Sequence, residues 1–387
     1  MMNKLKLLTG LLLCTNLLFA QMKAVPVFTS GTEGYKSFRI PAIIRLPNGP
    51  LLAFAEGRVN NSGDFGDINI VMKRSNDNGA TWGPLQTVVD NDSLQAGNPA
   101  PVVDVTDMSY LQGRIFLFYN TGNNHEGEIR KGKGLREVWY KTSADGGVTW
   151  SEPVNITTQV HRPLQPQINP AYNFKEDWRS YANTPGHATQ FRNGQYHGRI
   201  YVAANHSEGN PQPHFKDYFA HGYYTDDHGK TFHLAATMPM PGGNEATAAV
   251  LDNGRLMLNA RNQQGNVKAR MVATSKDGGA TWDQYAFDPQ LPDPVCEGSL
   301  LEIGFKKKRT VLAFCNAADT LQRNHLTLRI SNDGGRSWPK SYLIAASDNN
   351  KRDYAAYSDI VRIDKQRIGV LFERNDYREI VFTVVKC

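Results

Sequence analysis

One strand pattern recurs six times along this chain, and an internal repeat restricts the possible folds more than any other sequence feature. The copies are LLAFAEGR (51–58), GRIFLFYN (113–120), GRIYVAANHS (198–207), GRLMLNARN (254–262), RTVLAFCN (309–316) and RIGVLFERN (367–375). A second segment precedes each copy: RIPAIIRLPNG (39–49), NPAPVVDVTD (98–107), GHATQFRNG (186–194), NEATAAVLDNG (244–254), CEGSLLEIG (296–304) and YSDIVRIDK (357–365). Each pair reads as the two strands of a hairpin.

A third element follows five of the six copies: SNDNGATW (75–82), SADGGVTW (143–150), TDDHGKTF (225–232), SKDGGATW (275–282) and SNDGGRSW (331–338). Asp bonds nearby backbone N–H groups and Gly accepts positive φ, so the motif reads as a tight turn with an aromatic packed beneath it. Its aspartates are expected to be structural, because a mechanism needs one or two acids and not five copies. Three strands, an Asp turn and a fourth strand, repeated every 50 to 85 residues, predict an all-β fold. The expected form is a six-bladed β-propeller of four-stranded antiparallel blades. The sixth hairpin lacks the turn. EIVFTVVKC (379–387) and VPVF (25–28) are expected to share one blade, closing the ring and leaving no sheet edge.

Residues 1–20 differ from the rest. Lys4 and Lys6 precede an apolar run from Leu7 to Phe19, and Ala20 is small, which is the pattern of a signal peptide. The run is too short for a spanning helix. Leu13 stands before Cys14, where a lipid anchor would want a small residue, so lipidation is not expected. Residues 21–387 then form one domain. The chain carries a net charge of +6, and losing Lys4 and Lys6 leaves +4, a mild bias. No basic run with interleaved aromatics points to nucleic acid, and the ten histidines show no metal-ligand spacing. Cys296 and Cys315 flank a hairpin, where one bridge and two buried thiols fit equally well.

Equivalent positions in repeated blades point to the same end of the axis. Arg39, Glu245 and Tyr357 each stand near the start of a first strand, and Arg58, Arg261 and Arg374 near the end of the strand that follows. Arg39, Arg58, Glu245, Arg261 and Tyr357 are therefore expected to ring one mouth. Crowded guanidinium groups repel one another when empty and pair bidentately with carboxylates, so the ring predicts an anionic ligand.

The FRIP stretch (38–41), the five Asp turns, NEATAAVLDNG with NAR (259–261), and AAYSDI (355–360) with LFE (371–373) together resemble bacterial sialidases. The resemblance covers almost the whole chain after residue 20. It implies an exo-α-sialidase, a glycoside hydrolase that removes terminal sialic acid from glycoproteins, glycolipids or oligosaccharides. It also implies no metal or organic cofactor, action as a monomer, and a place in the periplasm, on the cell surface or outside the cell. Arg39, Arg261 and Arg323 would hold the sugar carboxylate, Glu373 would brace Arg39, and Arg58 would contact the sugar. Arg329, inside the strand before the fifth Asp turn, reads as structural. Asp64, 25 residues after Arg39, would be the acid/base, rather than Asp67 three residues on. Tyr357 would be the nucleophile and Glu245 its partner. Most retaining glycosidases attack with a carboxylate, and sialidases with a tyrosine nucleophile are a recognised exception. Sialic acid carries a carboxylate on its anomeric carbon, which a carboxylate nucleophile would meet at close range and a neutral phenol would not. A propeller lectin and a trans-sialidase are the alternatives. Trp178, Tyr181 and His187 lie in an insert (151–197), where they either line the sugar site or pack the insert. Asn98 and Glu297 fall near the mouth without an assigned role.

Overall fold

The computed structural model describes residues 23–347 and 353–387; the expected signal peptide and Cys14 lie outside them. The described chain is an all-β propeller with a few single-turn helices. The inner strands are packed on both faces, and outer strands such as Gln284–Pro292 are largely exposed. In Arg114–Gly122, Phe116 and Phe118 pack with Val202 and Tyr223, whereas Ile115, Leu117 and Tyr119 pack with Phe54 and Ile70. Period-two alternation therefore sends side chains into two separate cores. Full burial of each such side chain stabilises the fold by about 1.5–3 kcal/mol.

The expectation of six four-stranded antiparallel blades is corrected by the hydrogen bonding. The described strands form five sheets: three of four strands, one of five and one of eight. Four are purely antiparallel, so the count of separate antiparallel blades is four and not six. In the eight-stranded sheet, Ile68 pairs in parallel with Gln95 and joins two hairpin units. The cause is local. Leu94 O accepts from Ile68 N at 3.3 Å, so the turn after the edge strand Gln86–Val89 delivers Gln95 beside Ile68. Repeats count hairpins, but they do not say which hairpins share a ladder.

The third unit also departs from expectation. The stretch 186–194 contributes only Thr189–Gln190, and Trp178–Asn183 from the insert takes most of the pairing with Ile200–Glu208. Pro185, which has no N–H to donate, stands between the two pieces. Closure follows the terminal strands. Val25–Thr29 pairs with Glu379–Lys386, which pairs with Arg367–Arg374.

The Asp turns are structural. Asp77 accepts from Ser75 Oγ (2.8 Å), Thr81 N (2.9 Å) and Thr81 Oγ1 (2.6 Å), and Asp145, Asp227, Asp277 and Asp333 repeat the set. The Thr81 bonds, side chain first, pull Asp77 down to about 2. Trp82 and Trp338 pack under their own turns against the core.

Three histidines are wholly buried where the insert packs on the third unit. His206 Nδ1 meets His221 Nδ1 at 3.0 Å, and His221 Nε2 meets Tyr181 OH at 3.2 Å. Among the described residues neither ring nitrogen of His161 has a hydrogen-bond partner. Burial, then His221 and Arg162, holds His161 well below its usual pKa, and burial with Arg162 pushes His221 down to about 3. Unfolded histidine takes its proton near pH ~6.5, so these groups contribute full stability above that value. The contribution falls as pH drops toward the folded values, by about 1.4 kcal/mol per pH unit for each histidine. His161→Phe keeps a ring and removes two unpaired polar atoms. It is expected to stabilise by about 1 kcal/mol at neutral pH. It should also flatten the loss of melting temperature between pH 7 and 5, as scanning calorimetry at both values would show.

Candidate active site

The site is assembled by bulges at equivalent places in the first strands. Register shifts occur between Arg39 and Ala42, Gly97 and Ala100, Gly243 and Ala246, and Ala355 and Ser358. A bulge re-aims the side chains beside it. Here it turns Arg39, Glu245 and Tyr357 into one cavity. Ile40 and Asn98 have φ of 59° and 54°, and a buried carboxylate caps each bulge. Glu373 Oε1 accepts from Arg39 Nε (2.6 Å) and Ile40 N (2.9 Å), and its Oε2 accepts from Tyr357 N (3.3 Å). Glu56 repeats the device, accepting from Asn98 N at 2.9 Å and from Arg58 Nη2 at 2.7 Å. Gly97 permits the approach, because a Cβ there would lie 2.3 Å from Glu56 Oε1.

Arg39, Arg58, Asp64, Glu245, Arg261, Arg323 and Tyr357 line one cavity of about 440 Å³. Glu373 lies behind its wall, fully buried. At the floor, Tyr357 OH lies 2.6 and 2.8 Å from the two oxygens of Glu245. Arg261 Nη1 donates to Tyr357 OH (2.9 Å) and Glu245 Oε2 (2.7 Å). Burial and then the Glu245 carboxylate push the Tyr357 hydroxyl well above its usual pKa, against the pull of Arg261 and Arg323. The phenol is therefore neutral. Arg39 and Arg323 lie over its ring at 5.4 and 5.3 Å. Burial works against the Arg39 charge, and Glu373 more than offsets it.

Asp64 stands on the loop after Leu51–Arg58, bonded to Arg58 at 2.7 Å, with its side chain 81% exposed. Desolvation by the cavity wall works to raise its pKa. Arg58, with Arg39 beyond it, outweighs that and holds the carboxyl below its usual range. The arrangement puts a neutral phenol against a carboxylate, in a cavity that several guanidinium groups and the exposed Asp64 carboxylate also line.

Arg374, equivalent by repeat to Arg58 and Arg261, pairs instead with Glu379 at 2.9 Å. Of the insert residues, Trp178 stacks on His206 at 3.5 Å inside the core, and Tyr181 both packs there and touches the cavity. His187 bonds Asp359 at 2.6 Å and lines a different cavity. Asn98 lines the mouth, while Glu297 is buried and accepts from Ser358 N at 2.9 Å. Arg329 donates to Asn316 at 3.1 Å, away from the site. Cys296 and Cys315 are free and buried, and burial pushes both thiols up to about 12.

Sequence reasoning missed Arg136, Gln95, Glu126 and Tyr218 in the same cavity. Arg136 is buried and bonds Gln95, and its Nε has no partner among the described residues. Glu126 accepts from Tyr218 OH (2.5 Å) and Ser180 Oγ (2.9 Å). A usable signal was present for two of them. Third strands run antiparallel to second strands, so the first residues of Arg136–Ser143 and Tyr218–Thr225 also reach the mouth.

The family described as BNR repeat-like domain matches residues 49–370. The chain belongs to the BNR repeat-like family. Its similarity to named proteins agrees with the kinship to bacterial sialidases read from the motifs. A sialidase of Micromonospora viridifaciens is 30% identical over 362 residues, covering 89% of this chain and 51% of that protein. An exo-alpha-sialidase of Arthroderma benhamiae is 29% identical over 378 residues, covering 93% of this chain and 83% of that one. This BNR repeat-like chain therefore spans about half the length of the Micromonospora relative. The solved Hadza microbial sialidase Hz136 superposes with a TM-score of 0.77 at 28% identity, over 94% of this chain and 68% of that one.

Proposed function

We propose that this chain is an exo-α-sialidase that hydrolyses terminal sialosides with retention. The observation that carries the reading is Tyr357 OH, held by both oxygens of Glu245 and by Arg261 at the floor of an arginine-lined cavity. Arg39, Arg261 and Arg323 take the sugar carboxylate, and Arg58 contacts the sugar. As Glu245 accepts the phenolic proton, Tyr357 oxygen attacks the anomeric carbon. The glycosidic C–O bond breaks, and Asp64 gives its proton to the departing oxygen. In the second step Asp64 takes a proton from water, and the water oxygen attacks the same carbon. The bond to Tyr357 breaks, and Glu245 returns the proton to the phenolate. The low pKa of Asp64 follows from Arg58, with Arg39 and Arg136 beyond it. A bound carboxylate compensates them, raises Asp64 and equips it as an acid. Among the described residues no helix is long and apolar enough to cross a membrane. Residues 1–20, read as a signal peptide, support export toward glycans outside the cytoplasm.

Release of fluorophore from a simple aryl α-sialoside tests the activity, and NMR of the first-formed sugar tests its stereochemistry. Release with α-sialic acid appearing first is expected. Folded protein that releases nothing, or that yields the β anomer first, sinks the assignment. The arginines should separate kinetically. Arg323 bonds Tyr377 and lies over the Tyr357 ring without bonding its hydroxyl, so Arg323→Ala should raise KM by about tenfold or more, the scale of one charged hydrogen bond, with a smaller fall in kcat than Arg261→Ala. Arg261 also holds Tyr357 and Glu245, so Arg261→Ala should raise KM and lower kcat together. Steady-state kinetics on both variants would show the split, and unchanged affinity for free sialic acid would remove either residue from the clamp.

A further inference from the structure

Two of the three clamp arginines are held by carboxylates: Arg39 by Glu373 at 2.6 Å and Arg261 by Glu245 at 2.7 Å. Arg323 is held differently. Among the described residues it makes no ion pair, and its Nη1 donates to the hydroxyl of Tyr377 at 2.9 Å. The ring of the same tyrosine lies 3.9 Å from the guanidinium carbon of Arg39. Tyr377 is half-buried, packs against the cluster of Ile40, Cys296, Ala356 and Tyr357, and contacts both arginines.

The backbone that presents it is strained. Asn375, Asp376 and Tyr377 have φ of 57°, 54° and 63° in succession. Side chains larger than glycine avoid this region, and a bulky ring there is an outlier. The turn is pinned from two sides. Ser30 Oγ donates to Tyr377 O at 2.8 Å, and Asn375 N and Asp376 N donate to Tyr354 O and Asp353 O, each at 3.0 Å. Strain held this firmly at one point, with the strained side chain touching two arginines of one site, is the pattern of a functional constraint.

We propose that Tyr377 is a positioning residue for the carboxylate clamp, its hydroxyl setting Arg323 and its ring face setting Arg39. This rests on the sialidase reading above. A guanidinium pairs bidentately only when its planar fork is aligned with the carboxylate. A carboxylate placed behind Arg323 would align it but cancel its charge. A phenol aligns it by one neutral acceptor, and the ring face beneath Arg39 fixes that plane by a cation–π contact. Arg323 therefore keeps its full attraction for the ligand.

Two variants divide the functions. Tyr377→Phe removes the acceptor and keeps the ring; Tyr377→Leu removes both. The readouts are kcat and KM on an aryl α-sialoside, and calorimetric affinity for free sialic acid against its methyl ester, which lacks the carboxylate charge. For Tyr377→Phe a KM increase of about tenfold is expected, equivalent to about 1.4 kcal/mol, with kcat little changed. The preference for acid over ester should fall in parallel, at an unchanged melting temperature. Tyr377→Leu should raise KM further. A Phe variant with wild-type KM and wild-type acid-over-ester preference overturns the proposal. So does one whose kcat falls with its melting temperature while the preference stays intact. If the Leu variant does not fold, the Phe variant decides alone. Wild-type protein that neither cleaves the sialoside nor binds sialic acid sinks the sialidase reading itself, and this is a different result from an active enzyme indifferent to Tyr377.

Discussion

Tyr357→Phe is expected to lower kcat by about a thousandfold or more, the scale seen when a covalent nucleophile is removed. The fold should survive the change. The ring packs with Ile40, Cys296 and Ala356, and Arg39 and Arg323 stand over its face, all of which Phe retains. Glu245 loses a donor but keeps Arg261 at 2.7 Å, so no unpaired carboxylate is left in the cavity. Affinity for sialic acid should change little, because the arginines remain. Kinetics on an aryl sialoside, paired with the melting temperature and a binding titration, separate loss of chemistry from loss of structure. A rate near wild type in the Phe variant would end the case for Tyr357 as nucleophile.

Asp64→Asn carries the second large effect, and its size should depend on the leaving group. An alkoxide from a natural glycan leaves poorly without a proton, so kcat/KM on a sialyl-oligosaccharide should fall by about 10²–10⁴, the range for general acid catalysis. An aryl oxide leaves readily unprotonated, so kcat/KM on a nitrophenyl or umbelliferyl sialoside should fall far less. Asparagine preserves size and one acceptor oxygen for Arg58, which lies 2.7 Å from Asp64. The side chain is largely exposed, so little packing is disturbed. Equal losses on both substrates would remove Asp64 as proton donor and leave it only a role in holding Arg58.

Much of this architecture was legible in the residues. Six hairpin patterns announced an all-β propeller, because strand periodicity and turn chemistry are local properties. The Asp turns were readable for the same reason, since Asp77 and Thr81 lie four residues apart and need nothing distant to complete their bonds. The repeat also carried long-range information. Residues at the same place in successive units must reach the same mouth, which is how Arg39, Glu245, Arg261 and Tyr357 could be grouped across more than three hundred residues. Tertiary structure decided what repetition cannot encode. Whether two hairpins share a ladder turned on one parallel pair, Ile68 with Gln95, set by the course of an intervening turn. Arg374 had the right position but pairs with Glu379, a strand neighbour that lies outside the cavity, whereas Arg261 pairs with Glu245 inside it. Tyr377 belongs to no repeat position at all. Its place against Arg39 and Arg323 comes from three left-handed residues in one connection and from bonds to segments far along the chain, a conformation that no periodicity announces.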